Sequence, residues 1–130
     1  MIDEEIARAI FEAFNRGDRE AQKRLTSKDV EIVPLRAALE GNAFHGHDGL
    51  DQFWEASEES WSEISADVRR VEGGSEAVFV LARLRGRGRQ TGAAVEMELG
   101  CTVSVRDGEA TRVAVYTDIA EARGAAGIED

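Results

Sequence analysis

Apolar residues recur at helical spacing near the start of the chain, where Ile6, Ile10 and Phe14, reinforced by Ala7 and Ala13, define an amphipathic helix over residues 3 to 16. Gly17 is placed to end that helix, and Asp18 to cap a short second one through about Leu25. The polar stretch Thr26 to Asp29 leads into a strand from Val30 to Leu35. Pro34 predicts that this strand is short or lies at an edge, because proline has no N–H to donate to a neighbour. Residues 37 to 47 read as a loop. A third helix follows from about Asp48 to Ser60, with Leu50, Phe53 and Trp54 on its apolar face and Asp48 and Asp51 at capping-box spacing.

Beyond Ser60 the period changes to two. Ile64, Ala66 and Val68 alternate with polar neighbours, and Gly73-Gly74 marks a turn. The next strand, about Glu76 to Arg89, puts Val78, Val80, Ala82 and Leu84 on one face and Phe79, Leu81, Arg83, Arg85, Arg87 and Arg89 on the other. Ala93 to Arg106 carries the apolar row Val95, Met97, Leu99, Cys101, Val103 and Val105, with Glu96 and Glu98 opposite. A two-residue turn at Gln90 and Thr91 would set Arg85 against Glu96, Arg83 against Glu98, Leu84 against Met97 and Val80 against Cys101. Charge and apolar patterns choose the same register. Asp107-Gly108 starts a last strand, Glu109 to Thr117, and Asp118 with Glu121 can cap a final helix through Ala126. Helices gathered at the start and strands at the end predict an α+β domain, a curled sheet with helices over its concave face.

The length of 130 residues predicts one domain, and a hydrophobic content of 42% with a single proline predicts a folded one. A net charge of −10 argues against a nucleic-acid partner, which cationic contacts would have to hold. No apolar run reaches the roughly 20 residues of a membrane span, and no leader pattern precedes the first helix, so a cytoplasmic location is expected. Cys101 stands alone among apolar neighbours, which leaves no intrachain disulfide and predicts a buried, inert thiol. His45 and His47, the two histidines, lack the i, i+4 spacing of a helical zinc pair, so no metal is expected, and without a phosphate loop or dinucleotide fingerprint no cofactor is expected either.

Gly17-Asp18, Asp29-Val30, Phe44-His45-Gly46-His47-Asp48-Gly49, Arg87-Gly88 and Asp107-Gly108 occur in an order and spacing that resemble the nuclear-transport-factor-2-like superfamily, and within it the SnoaL-like polyketide cyclase and ketosteroid isomerase group. The resemblance covers nearly the whole of residues 1 to 130. It implies a cone-shaped, cystatin-like α+β barrel with an internal cavity, which is dimeric through the outer sheet face. The scaffold alone does not decide function.

Ketosteroid isomerase chemistry implies a tyrosine on the first helix and an aspartate near the end of the first strand. Ile10 and Val33 stand there, and neither can move a proton. SnoaL-like cyclases instead imply an aspartate at the end of the last long strand, to which Asp118 falls nearest. A carboxylate in an apolar cone suits proton abstraction; the capping box with Glu121 explains the same residue structurally, and both roles stand. Tyr116 shares the face of Asp118. A simple turn at Asp107-Gly108 aims both inward, whereas a three-residue bulged turn at Arg106 to Gly108 pairs Val113 and Val115 with the inner row and turns Tyr116 and Asp118 outward. His47 could orient a substrate, and Phe14, Trp54, Trp61, Met97, Leu99 and His45 are the candidate ligand-contacting residues. Phe79 and Leu81 extend the arginine face into the expected dimer surface. Two functions remain: a binder of a small apolar ligand that performs cofactor-free proton transfer through Asp118, His47 and Tyr116, and a non-catalytic ligand-binding or association module.

Overall fold

The computed structural model describes residues 1–34 and 43–128. Among these residues the elements run α1 (Asp3–Arg16), α2 (Arg19–Leu25), β1 (Thr26–Val33), β2 (Phe44–His45), α3 (Gly46–Ser60), β3 (Trp61–Gly73), β4 (Val78–Gly88), β5 (Ala94–Arg106), β6 (Glu109–Tyr116) and α4 (Ile119–Ala125). The strands form one curved, unclosed mixed sheet in the order β2-β1-β6-β5-β4-β3. Only β1 and β6 pair in parallel.

α1 ends where Gly17 takes a left-handed conformation and its N–H reaches the Phe14 carbonyl at 3.1 Å. Asp18 caps α2 by accepting from the Ala21 N–H at 3.0 Å. β1 starts four residues before the sequence-based expectation: the polar Thr26 to Asp29 segment is already strand, and Thr26 pairs with Ala110. Pro34 stops a strand that lies between β2 and β6, which corrects the edge assignment. The expected end at Leu35, and residues 37 to 42 of the expected loop, lie outside the described residues.

The β4–β5 register is the expected one: Val80 faces Cys101, Arg83 faces Glu98, Leu84 faces Met97 and Arg85 faces Glu96. The turn differs. Gly88 donates to the Ala93 carbonyl at 3.0 Å, and Gly92 donates back to the Gly88 carbonyl at 2.9 Å. A four-residue loop therefore preserves the pairing that a two-residue turn would have given.

Two interruptions of the ladder decide which side chains point inward. Arg69 is left unpaired between the Val68–Ala82 and Arg70–Leu81 pairs, so Val71 joins the inner row while Arg70 turns out. Thr111 is left unpaired between the Val105–Ala110 and Ser104–Arg112 pairs, so Val113 and Val115 face inward opposite Val103 and Cys101. The Asp107-Gly108 turn itself is the simple two-residue kind, with φ of 52° and 79°. The bulge lies inside the strand, four residues past the turn's start.

α1 covers the inner row with Ile6, Ala7, Ile10 and Phe11, and α3 adds Leu50 and Trp54 over Val30 and Ile32. Phe14 packs against both clusters. The free edge of β3 is tied to α1 by one side chain. Asn15 Nδ2 donates to the Ala66 carbonyl at 2.9 Å, while its Oδ1 accepts from the Ala66 N–H at 2.8 Å, as a neighbouring strand would. Asn15→Ala removes two ordinary hydrogen bonds, for which a loss of about 1–2 kcal/mol is expected; urea unfolding with an unchanged m-value checks it.

Candidate functional site

The motif Phe44 to Leu50 is a packed corner. β2 pairs Phe44 with Ile32 and His45 with Glu31, and α3 begins at Gly46, two residues before the expected start. Asp48 therefore lies in the first turn and does not cap the helix. Gly49 is required by contact, since a Cβ there would stand 2.9 Å from the Phe44 carbonyl carbon. Asp51, expected in a capping box, instead accepts from Lys23 Nζ at 3.0 Å and Arg19 Nη1 at 3.2 Å. The Lys23 hydrogen bond, with help from Arg19, holds its carboxyl below the ordinary value.

The histidines point to different places. His45 is exposed on the β2 strand, with Nδ1 4.0 Å from the Glu31 carboxylate. His47 Nε2 lies 3.3 Å from both the hydroxyl and the carbonyl oxygen of Thr26. The Thr26 hydroxyl donates to the Gln22 carbonyl at 2.8 Å, so both oxygens can only accept from the ring and Nε2 carries the proton. His47 thus clamps the start of α3 to the α2–β1 junction.

Gln22 is a residue that pattern reading missed. It is buried; its Oε1 accepts from the Trp54 indole at 2.8 Å, and its Nε2 donates to the Ile10 carbonyl at 3.0 Å. A buried indole N–H needs such a partner. Trp54 is further enclosed by Phe14, 5.7 Å away between ring centroids, and by the Arg19 guanidinium. The mid-helix polar residue among charged neighbours gave no sign of this role.

Asp118 and Tyr116 do not join His47. The Asp118 carboxylate is exposed and caps α4 by accepting from the Glu121 N–H at 3.1 Å. Tyr116 faces outward opposite Gly100, beside Arg112. Burial opposes the Arg112 charge, but hydrogen bonds to Tyr116 and to Glu31, 2.6 Å away, outweigh it and raise the guanidinium above its ordinary value. Of the expected ligand contacts, Trp54 and Leu99 are buried in the core. Cys101 is buried as well, and desolvation pushes its thiol up to about 12, too high for a nucleophile.

The remaining candidates lie toward the open end. Cover along β5 thins from Cys101, 1% exposed, through Leu99 at 5% to Met97 at 37%. β6 ends opposite Gly100, so this end of β5 pairs only with β4. Trp61 is half-buried over Gly86, where a Cβ would stand 2.8 Å from the indole Cε3. Phe14 meets Phe53 at 6.2 Å, and Phe53 meets Phe44 at 6.1 Å. On the outer face a cleft of about 500 Å³ crosses β3, β4 and β5, lined by Glu63, Ser65, Arg85, Arg87 and Glu96. A second, of about 320 Å³, separates α1 from the β3 edge at Arg8, Glu12 and Asp67. Among the described residues no group of three His, Cys, Asp or Glu side chains could hold a metal, and no helix is long and apolar enough to cross a membrane.

On the outer face Glu96 accepts from Arg83 at 2.6 Å and lies 3.4 Å from Arg85, and the Arg83 bond holds its carboxyl below the ordinary value. Phe79 and Leu81, expected at a dimer surface, pack against α4.

This helix-covered sheet is a nuclear-transport-factor-2-like architecture, and solved structures share it. An NTF2-like protein of unknown function from Burkholderia pseudomallei is 21% identical over 95% of this chain and 97% of that one, with a TM-score of 0.78. A provisionally named polyketide cyclase from Xanthomonas campestris is 24% identical over 89% and 90%, with a TM-score of 0.75. TerC, co-crystallised with polyporic acid, is 21% identical over 94% and 95%, with a TM-score of 0.76. No curated protein matches the chain. The model of the SnoaL-like domain matches residues 7–113, and the chain belongs to that family.

The capping geometry separates two roles for Asp118. As a cap, Asp118→Asn keeps the bond to Glu121, whereas Asp118→Ala loses about 1 kcal/mol of stability. Equal melting temperatures for the two variants would contradict the capping role.

Proposed function

We propose that this SnoaL-like protein binds a small, apolar organic molecule at the uncovered end of the inner sheet face. One observation carries the reading: Met97 belongs to an apolar row whose other members are buried or half-buried, and it is the one large hydrophobic residue, among those described beyond the first two of the chain, left exposed. Trp61 lies over Gly86, whose cross-strand partners Ile64 and Val95 continue the apolar surface. Co-crystallisation of TerC with polyporic acid supports the idea that this fold accommodates organic ligands.

Binding without catalysis is the reading the row favours. From Ile64 to Val115 its described inward positions in β3 to β6 are apolar and carry no proton-transfer group. The cofactor-free acid–base alternative requires Asp118, Tyr116 and His47 to converge on one substrate; they stand at the start of α4, on the outer face and at the α2–β1 junction.

The expected result is that an aromatic polyketide, a steroid or a terpenoid epoxide raises the melting temperature of the protein. Met97→Gln should weaken that ligand roughly tenfold, about 1.4 kcal/mol, by calorimetric titration. The stability of the free protein should change by less than about 0.5 kcal/mol, because the side chain is exposed. Unchanged affinity in Met97→Gln would refute the proposed site, and turnover abolished by Asp118→Asn would establish the catalytic alternative.

A further inference from the structure

α3 ends without a cation of its own, and Arg89, just beyond the end of β4, supplies one. The last turn of the helix holds no basic residue, yet its carbonyls lack partners within the helix and carry the negative end of its dipole. Arg89 Nε donates to the Glu58 carbonyl at 2.7 Å, its backbone N–H to the Ser60 carbonyl at 3.0 Å, and Nη2 to the carbonyl of Trp61, the C-cap residue, at 3.0 Å. Trp61 ends α3 and also begins β3, so these bonds fix where its side chain leaves the backbone. The indole is carried onto Gly86, where a Cβ would stand 2.8 Å from Cε3 and 2.9 Å from Cζ3. Glycine lets the ring lie against the strand. Gly86 pairs with Ile64 and Val95, and the next cross-strand row on this face is Ala66, Leu84 and Met97. Among the described residues no ring or guanidinium stacks on the indole and no acceptor takes its N–H.

We propose that Arg89 is a positioning residue of the ligand site and that Trp61 is the wall it positions. By binding the end of α3, the guanidinium holds the indole against Gly86 beside the row of Met97, so an apolar ligand meets a ring already in place. This rests on the binding site proposed above. A wall fixed in advance spares the ligand the entropy of ordering it.

The test titrates N-phenyl-1-naphthylamine, a neutral apolar fluorophore, into the wild type, Met97→Gln, Arg89→Ala and Gly86→Ala, and records nuclear Overhauser contacts from the Trp61 indole to the Gly86 α-protons in the first three. The wild type is expected to bind, and Met97→Gln to bind less tightly with the Trp61–Gly86 contact intact. Arg89→Ala and Gly86→Ala should each weaken the probe roughly threefold to tenfold, the range of one aromatic contact. Arg89→Ala should also lose the contact. Gly86→Ala displaces the ring with Arg89 in place, and so reports the wall even if Arg89→Ala fails to fold. Unchanged affinity in Met97→Gln would overturn the site and this inference with it. Weakened binding in Met97→Gln beside wild-type affinity in Gly86→Ala or Arg89→Ala, or a Trp61–Gly86 contact that persists in Arg89→Ala, would overturn the positioning role and leave the site standing.

Discussion

The structure depends on keeping one face of a long, curved sheet apolar along its whole inner row. Strict alternation does not achieve this for the sequence as it stands. After Val68 it would turn Arg70 inward, and after Ala110 it would turn Arg112, Ala114 and Tyr116 inward. The unpaired residues Arg69 and Thr111 reset the parity and deliver Val71, Val113 and Val115 to the core. Burying an aliphatic side chain of this size contributes about 1.5–3 kcal/mol, whereas an arginine buried without a partner costs far more. The bulges are therefore favoured despite the lost ladder contacts.

The parity also distributes the chemistry. The Thr111 bulge that turns Val115 inward turns Tyr116 outward, where it meets Arg112 and the apolar residues under α4. The inner row is left apolar in β3 to β6, and its helix cover thins at Met97. An uncharged surface at one end and a charged, helix-covered outer face thus follow from the same register.

Much of the fold was legible because several signals agreed. In β4 and β5 the apolar row and the arginine–glutamate rows both required one register, which survived a misjudged turn. The caps at Asp18 and Asp118 were readable because an acidic residue preceded each helix, and both accept the expected backbone N–H. The bulges were harder to see. The sequence raised the alternative at Asp107-Gly108, yet a normal turn with an unpaired Thr111 gives the outcome assigned to a bulged turn. Gln22 was invisible because its role depends on Trp54 and Ile10, which are distant in sequence and adjacent only after α1, α2 and α3 have packed. Reading Asp118, Tyr116 and His47 as a group required knowing strand parity, and one unpaired residue in β6 separates them.

The orientation of β6 is the central claim, and it is measured most directly by nuclear Overhauser contacts in the labelled protein. The account predicts contacts from the Val113 and Val115 methyls to the core formed by Ile10, Phe11 and Cys101, and from the Tyr116 ring to Ile119 and Ala122. Contacts from the Tyr116 ring to Ile10 or Phe11, with the Val115 methyls facing α4, would contradict it.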